Sequence, residues 1–161
     1  MKQSKQISQK IFNREELQPQ LNRWELMGKK IVFTNGVFDI LHQGHIKILS
    51  EAATFADILI VGLNSDSSVK RLKGDSRPVN AEGPRSMILS ALVMVDAVII
   101  FEEDTPLELI KLIRPHVLVK GGDYTLDTIV GAKEVTANQG EVKIISLEEG
   151  FSTTGIINKL K

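Results

Sequence analysis

The sequence predicts an α/β fold in which a five-stranded parallel sheet is covered by helices on both faces. The predicted strands are short and nearly continuous in apolar residues, as strands buried on both faces are. Helical patterns separate successive strands, so the connections are crossovers and the pairing is parallel. Right-handed crossovers then produce a doubly wound, Rossmann-like sheet, in which ligands bind at the carboxyl ends of the strands.

The first 29 residues are polar with scattered apolar positions, and they predict an N-terminal helical extension to a domain spanning residues 30–161. Asn13 and Glu16 have the spacing of a capping box, so a helix is expected to begin near Arg14. Pro19 lies within the same pattern. We expect it to kink or shorten the helix, because proline lacks the backbone donor that a helix interior needs.

The remaining elements alternate along the chain. Strands are expected at residues 30–35, 57–63, 97–101, 117–120 and 142–146, and helices at residues 44–55, 65–72, 85–93, 106–113, 128–138 and 153–160. Two glycines and two prolines between residues 73 and 84 predict a long loop. Gly140 is expected to act as the C-cap of the helix at 128–138.

Composition restricts the class of protein. The 161 residues carry 20 Lys+Arg and 20 Asp+Glu, a balance that argues against a protein that coats nucleic acid. The absence of cysteine excludes disulfides, thiolate metal sites and a cysteine nucleophile. The longest apolar runs have the length of strands, too short to cross a bilayer. No signal-peptide pattern opens the chain, so the expected compartment is the cytoplasm.

Two histidines follow the first core strand, at the predicted start of a helix. His42 and His45 flank Gly44, and a helix N-terminus presents unpaired amides and a positive dipole that bind phosphate. A single histidine here would be explained by capping or packing, whereas two of the chain's three favour a phosphate site. The third, His116, follows Pro115 and is expected to be structural.

The same loop carries a resemblance. Gly36-Val37-Phe38-Asp39 followed by His42-Gln43-Gly44-His45 resembles the GxFD…HxGH signature of the cytidylyltransferase-like nucleotidyltransferases. The resemblance implies the HxGH nucleotidyltransferase fold and transfer of a nucleoside monophosphate from a nucleoside triphosphate. Such transfer depends on positioning and on charge stabilisation at the α-phosphate, for which donors and cations suffice.

Four segments are similar to a narrower family, the heptose 1-phosphate adenylyltransferases, also called ADP-heptose synthases: FTNGVFDILHQGH, VGLNSDSSVKRLKG, DTPLELIKLIRPHVLVKGGDYT and EGFSTT. This similarity implies that AMP is transferred from ATP to D-glycero-β-D-manno-heptose 1-phosphate, giving ADP-heptose for the lipopolysaccharide core and pyrophosphate. It further implies a stand-alone form without the sugar kinase, assembled as a homodimer. The partners are then small molecules, with neither nucleic acid nor membrane among them.

The resemblance also assigns roles to residues, most of which follow predicted strands. The catalytic residues would be His42, His45 and Lys73. The residues contacting ATP would be Thr34, Asn35, Gly36, Phe38, Gly44, Lys120, Gly121, Asp123, Ser152, Thr153 and Thr154. The sugar phosphate would be bound by Asp39, Asn64, Asp66, Arg77 and Arg85, although Arg85 could equally pair with a helix neighbour. Mg²⁺ is expected to be held mainly by the triphosphate.

The sequence is compatible with other functions. A cytidylyltransferase for glycerol 3-phosphate or ethanolamine phosphate is less favoured, because residues 147–150 lack the arginine that glycerol-phosphate enzymes carry before their serine-threonine motif. A nucleotide-binding regulatory module would keep the fold without catalysis. An aminoacyl-tRNA synthetase fragment is disfavoured by chain length and charge. A dinucleotide-binding domain is disfavoured because no G-x-G-x-x-G follows the first strand.

Overall fold

A computed structural model describes residues 5–122, 124–146 and 152–159. Its strands are β1 (Ile11–Phe12), β2 (Ile31–Gly36), β3 (Ile58–Asn64), β4 (Ala97–Phe101), β5 (Val117–Gly121) and β6 (Glu141–Ile145). Its α-helices are α1 (Lys5–Ser8), α2 (Arg14–Leu26), α3 (Gln43–Ala53), α4 (Asp66–Lys73), α5 (Glu82–Ser90), α6 (Leu107–Ile113), α7 (Ala132–Ala137) and α8 (Thr153–Lys159). A 3₁₀ turn covers Leu126–Thr128.

The six strands form one parallel sheet in the order β1-β4-β3-β2-β5-β6. From β2 the chain winds outward through β3 and β4, then returns to place β5 on the other side of β2. The point where the winding reverses therefore lies between β2 and β5. In doubly wound sheets this point opens a crevice at the carboxyl ends of the strands, and the sheet thus confirms the predicted α/β class.

Both faces of the sheet are buried along the central strands β2 to β5, which explains the continuous apolar runs of these strands. Neighbouring residues alternate between two hydrophobic cores: Phe33 packs with α2, α6 and α7, whereas Val32 packs with α3 and α5. Within the described residues, no helix has the length and apolar character needed to span a membrane.

The prediction of five strands is wrong by one. Ile11 and Phe12 pair with Val98 and Ile99 and close the free edge of β4, and the Lys10 carbonyl accepts the Val98 amide at 2.7 Å. A segment of two residues is too short to show periodicity. This edge strand forms because the edge of β4 offers unpaired backbone hydrogen-bonding groups. The helix α2 that follows begins at Arg14 behind the expected Asn13 capping box.

Pro19 does not end the helix, and α2 is continuous through it from Arg14 to Leu26. Proline removes the amide that would bond the Glu15 carbonyl, but Glu15 is exposed and its carbonyl can bond water instead. Leu17, Leu21 and Trp24 of the same helix are buried in the core. The N-terminal segment therefore packs on the sheet through one face of α2.

Two helices, α5 and α7, differ from the sequence prediction by three or more residues at one or both ends. Helix α5 begins at Glu82, three residues early, and α7 covers only Ala132–Ala137 because Gly131, with φ of 87°, precedes it as a separate turn. Gly140 is not a cap, since Asn138 holds that position and Gln139 takes the left-handed conformation with φ of 63°. A Cβ on Gly140 would lie 2.9 Å from the His116 carbonyl oxygen, so close backbone packing explains this glycine.

Candidate active site

A cleft of about 360 Å³ opens at the carboxyl ends of β2 and β5. These strands pair only at Val32–Val117 and Phe33–Leu118, so the last residues of each are no longer bonded to the other strand. The gap is the crevice expected at the winding reversal. The loop after β2, which the sequence predicts to carry the chemistry, therefore lies at the crevice that the sheet topology creates.

His42 and His45 form one wall of the cleft. Their rings stack, with centroids 3.8 Å apart and planes inclined by 30°, and Phe38 packs against His45 at 5.2 Å. His42 is the N-cap residue of α3 and its side chain makes no capping hydrogen bond. The Nδ1 atoms of both rings are buried without a hydrogen-bond partner among the described residues. The rings are therefore held by packing.

Burial keeps both imidazoles neutral. It lowers the pKa of His42, and burial together with the neighbouring His42 lowers the pKa of His45 to about 4. At neutral pH each ring carries one N–H that can donate to an anion. An anion in the cleft would favour the protonated ring and raise both pKa values.

Two glycines end the strands that border the cleft, Gly36 on β2 and Gly121 on β5. Phe38 has a φ of 46°, and its ring would lie 3.0 Å from a Cβ on Gly36. Across the gap, a Cβ on Gly121 would lie 2.3 Å from the Cδ1 atom of Ile48. A side chain at either position would have to displace Phe38 or Ile48, so glycine lets these side chains pack close to the backbone at the edge of the cleft.

Lys120 reaches across the gap from β5 to β2, where its ammonium group donates to the Asn35 side-chain oxygen. Burial lowers the pKa of Lys120 to about 8. Asn35 lines the cleft, so the ammonium group of Lys120 lies directly behind this residue.

Asp39 is bonded on all sides. Its carboxylate accepts the amides of Val79 and Asn80 and the Arg77 Nε at 2.7 to 2.9 Å. Burial would raise the pKa of Asp39, but the Asn80 and Val79 amides and then Arg77 outweigh it and hold the pKa below its ordinary value. The side chain is 0% exposed, whereas that of Arg77 is 14% exposed and lines the cleft.

Arg85 lies outside the cleft. Its side chain is 0% exposed and donates to the Asp66 carboxylate, the Asn80 carbonyl and the Val37 carbonyl at 2.6 to 2.9 Å. Arg85 therefore pairs with the first residue of another helix, α4, and not with a neighbour in its own helix α5. Asn64 is also buried, and its amide donates to Ser68 at 3.1 Å.

The start of α8 also lines the cleft. Ser152 accepts the Gly155 amide at 3.0 Å, and the Thr153 hydroxyl donates to the Ile40 carbonyl at 3.4 Å. This contact ties α8 to the loop that carries the histidines. Asp123 and residues 147–151 lie outside the described residues.

The cleft brings together most of the residues that the sequence predicts for the site: Thr34, Asn35, Gly36, Phe38, Asp39, His42, Gly44, His45, Lys73, Arg77, Gly121, Ser152, Thr153 and Thr154. Sequence reasoning missed Asn80, whose amide and side chain both bond Asp39. The only sequence feature that could have indicated Asn80 is its position in a loop rich in turn-forming residues. His116 is structural as expected, with its Nδ1 accepting the Ile31 amide at 3.1 Å.

The donor set of the cleft suits an anionic ligand. Among the described residues that line it, Asp39 is the one carboxylate, and its oxygens are already occupied by the hydrogen bonds given above. No group of three or more His, Cys, Asp or Glu in the described ranges is arranged to hold a metal.

Comparison with known proteins agrees with this geometry. The model of the cytidylyltransferase-like family matches residues 33–159. The protein from Hyphomonas neptunium named bifunctional protein HldE is 58% identical over 138 residues, covering 86% of this chain and 28% of that protein. Its namesake from Campylobacter jejuni is 54% identical over 158 residues, covering 98% of this chain and 33% of that protein. The chain thus spans about a third of the length of these relatives.

A solved structure of a lipopolysaccharide core biosynthesis protein from Thermoplasma volcanium superposes with a TM-score of 0.60 at 30% identity, covering 75% of this chain and 98% of that one. The family match runs from β2 to α8 and includes every described residue of the cleft wall. The chain therefore belongs to the cytidylyltransferase-like family.

Proposed function

We propose that this chain is an adenylyltransferase that transfers AMP from ATP to D-glycero-β-D-manno-heptose 1-phosphate, giving ADP-heptose and pyrophosphate. The observation that carries the proposal is the stacked pair of His42 and His45 at the start of α3, facing a cleft lined by Lys73 and Arg77. The identity to the HldE proteins, and the likeness to a lipopolysaccharide core biosynthesis protein, support this acceptor.

In the proposed reaction, a phosphate oxygen of the sugar 1-phosphate attacks the α-phosphorus of ATP. The bond from the α-phosphorus to the bridging oxygen breaks, and pyrophosphate leaves with the electron pair. The nucleophile is already ionised, so no strong general base is needed. The chain must hold the two substrates in line and stabilise the charge that develops on the α-phosphate and the leaving group.

The cleft residues divide naturally between these tasks. His42 and His45 donate hydrogen bonds to the α-phosphate oxygens, and Lys73, at the end of α4, faces the triphosphate. The nucleotide lies against the ends of β2 and β5 and the start of α8, which includes Ser152. ATP enters as its Mg²⁺ complex, in which the metal neutralises phosphate charge.

The wider proposal concerns organisation and location. The nucleotidyltransferase domain covers residues 30–161, and residues 1–29 form an N-terminal extension whose β1 and α2 pack on the sheet of that domain. The chain acts in the cytoplasm, where ATP is made, and forms a homodimer. Helix α5 offers an apolar surface for self-association, because Met87 and Ile88 are 45% and 47% exposed. Sedimentation of the purified chain tests the dimer directly.

Pyrophosphate release tests the activity. The chain is incubated with ATP or CTP, each with heptose 1-phosphate, glycerol 3-phosphate or ethanolamine phosphate. We expect release with ATP and heptose 1-phosphate only. Turnover with CTP and glycerol 3-phosphate would contradict the proposal, and nucleotide binding without turnover for any acceptor would indicate a regulatory module.

Variants of the histidines test the mechanism. His45→Ala and His42→Ala are each expected to lower kcat by about 10²–10³, the size observed when one transition-state donor is removed. His116→Asn is the matched control, because it changes the histidine at the other end of the sheet and leaves the cleft intact. A folded His45→Ala variant with unchanged kcat would overturn the assigned role.

A further inference from the structure

Arg77 enters the cleft from the loop between α4 and α5, and one carboxylate determines where it points. Its Nε donates to the Asp39 Oδ2 at 2.7 Å, and its terminal nitrogens bond no other described residue. An arginine held through Nε keeps both terminal amino groups free to form a fork toward an anion. The side chain lines the cleft that also contains His42 and His45.

Asp39 cannot itself be a ligand for substrate without rearrangement, because its side chain is 0% exposed. Its two oxygens have different partners: Oδ1 accepts the amides of Val79 and Asn80, whereas Oδ2 holds Arg77 and shares the Val79 amide. The Asn80 side chain returns a hydrogen bond to the Asp39 carbonyl at 2.7 Å. Asp39 thereby fixes both the loop and the guanidinium that the loop carries.

Arg85 holds the same two segments from the buried side. It donates to the Val37 carbonyl, two residues before Asp39, and to the Asn80 carbonyl, three residues after Arg77. The loop at residues 74–81 and the turn between β2 and α3 are therefore held together at two places, one through Asp39 and one through Arg85. This rigidity is what a phosphate-binding arginine requires, because little side-chain freedom remains to be lost on binding.

Resting on the proposed function, we propose that Arg77 binds a phosphate group of one substrate and that Asp39 is a positioning residue that acts through Arg77. The ligand chemistry is a phosphate oxyanion, which either the triphosphate or the sugar phosphate can supply. Asp39 touches neither substrate. Its contribution to binding therefore exists only while Arg77 is present.

A double-mutant cycle tests this dependence. Arg77→Ala is expected to raise the KM for one substrate by roughly 10- to 100-fold, the range for a charge-assisted hydrogen bond. Asp39→Asn keeps an oxygen for the loop amides but replaces the one that holds Arg77, so it should raise the same KM. In the Arg77→Ala background, Asp39→Asn should raise that KM no further. KM values for ATP and for heptose 1-phosphate identify which phosphate is bound.

Arg71→Ala is the matched control, because Arg71 also donates through Nε to a carboxylate, that of Asp104 at 2.7 Å, outside the cleft. It should leave both KM values unchanged. Arg77→Lys should resemble Arg77→Ala, since an ammonium lacks the planar guanidinium that bonds Asp39 through Nε while its two terminal nitrogens form a fork toward a phosphate. This variant carries the test if Asp39→Asn does not fold. Unchanged KM values in Arg77→Ala, or equal losses from Asp39→Asn in both backgrounds, would overturn the proposal.

Binding measurements separate this proposal from the proposed reaction. Calorimetry with Mg·ATP and with inorganic phosphate reports Kd values without turnover. If the chain fails to form ADP-heptose but Arg77→Ala weakens one of these Kd values at least ten-fold, the phosphate site stands while the proposed function fails. If both Kd values match those of the wild type, Arg77 binds no phosphate.

Discussion

The stacked histidines should give the chain a measurable sensitivity to acid. The pKa of His45 is about 4 in the folded chain, against an ordinary value of 6.5, because burial and His42 oppose its protonation. At pH 5 the unfolded chain binds a proton that the folded chain excludes. Folding is therefore less favourable at pH 5 than at pH 7.5, by about 2 kcal/mol from this residue alone.

The direction of this pH effect follows from proton uptake by the unfolded chain. Between pH 6.5 and 4 the unfolded state binds more protons than the folded state, so the free energy of unfolding falls as the pH is lowered. His45→Asn removes the titrating group and should remove this part of the pH dependence. Other groups titrate over the same range in both proteins, so the difference between wild type and variant isolates the histidine.

Urea unfolding of both proteins at pH 7.5 and pH 5 measures the effect. From pH 7.5 to pH 5 the wild type should lose about 2 kcal/mol more than His45→Asn. Imidazole NMR provides a second measurement, with a midpoint near pH 4 that rises when pyrophosphate is added. Equal losses in the two proteins, or a His45 midpoint near 6.5 without ligand, would refute the reasoning.

Three further predictions concern residues around the cleft. Arg85→Met should lower the free energy of unfolding by about 3–5 kcal/mol in urea, because it leaves the Asp66 carboxylate and two carbonyls without their buried partner, and Arg85→Lys should recover little of it. Gly131→Ala should cost about 1–3 kcal/mol by the same measurement, since φ is 87° and the new Cβ would lie 2.4 Å from the Ile110 Cδ1; an unchanged midpoint would contradict this. Lys120 has a pKa of about 8 when folded and 10.5 ordinarily, so the wild type should gain about 2 kcal/mol between pH 7.5 and pH 10, a gain that Lys120→Met should lack.

Much of the fold could be predicted because each core strand is long enough to show its apolar run. Strands β2 to β6 lie within one or two residues of their predicted positions, and the Asn13 capping box begins α2 as expected. The edge strand at Ile11–Phe12 could not be predicted. Its two residues have no pattern of their own, and it exists because the edge of β4 supplies hydrogen-bond partners from 87 residues away.

For the candidate site, the sequence by itself determined which loops carry the chemistry. His42, Gly44 and His45 follow a buried strand, and in a parallel sheet such positions meet at one edge. Only the tertiary structure decided what the charged residues do there. Nothing in the spacing separates Arg77 from Arg85, yet the first faces the cleft and the second is enclosed beneath it. The partners that decide between these outcomes, Asp39 and the Asn80 carbonyl among them, are brought near by folding, because burial and hydrogen bonding act through space.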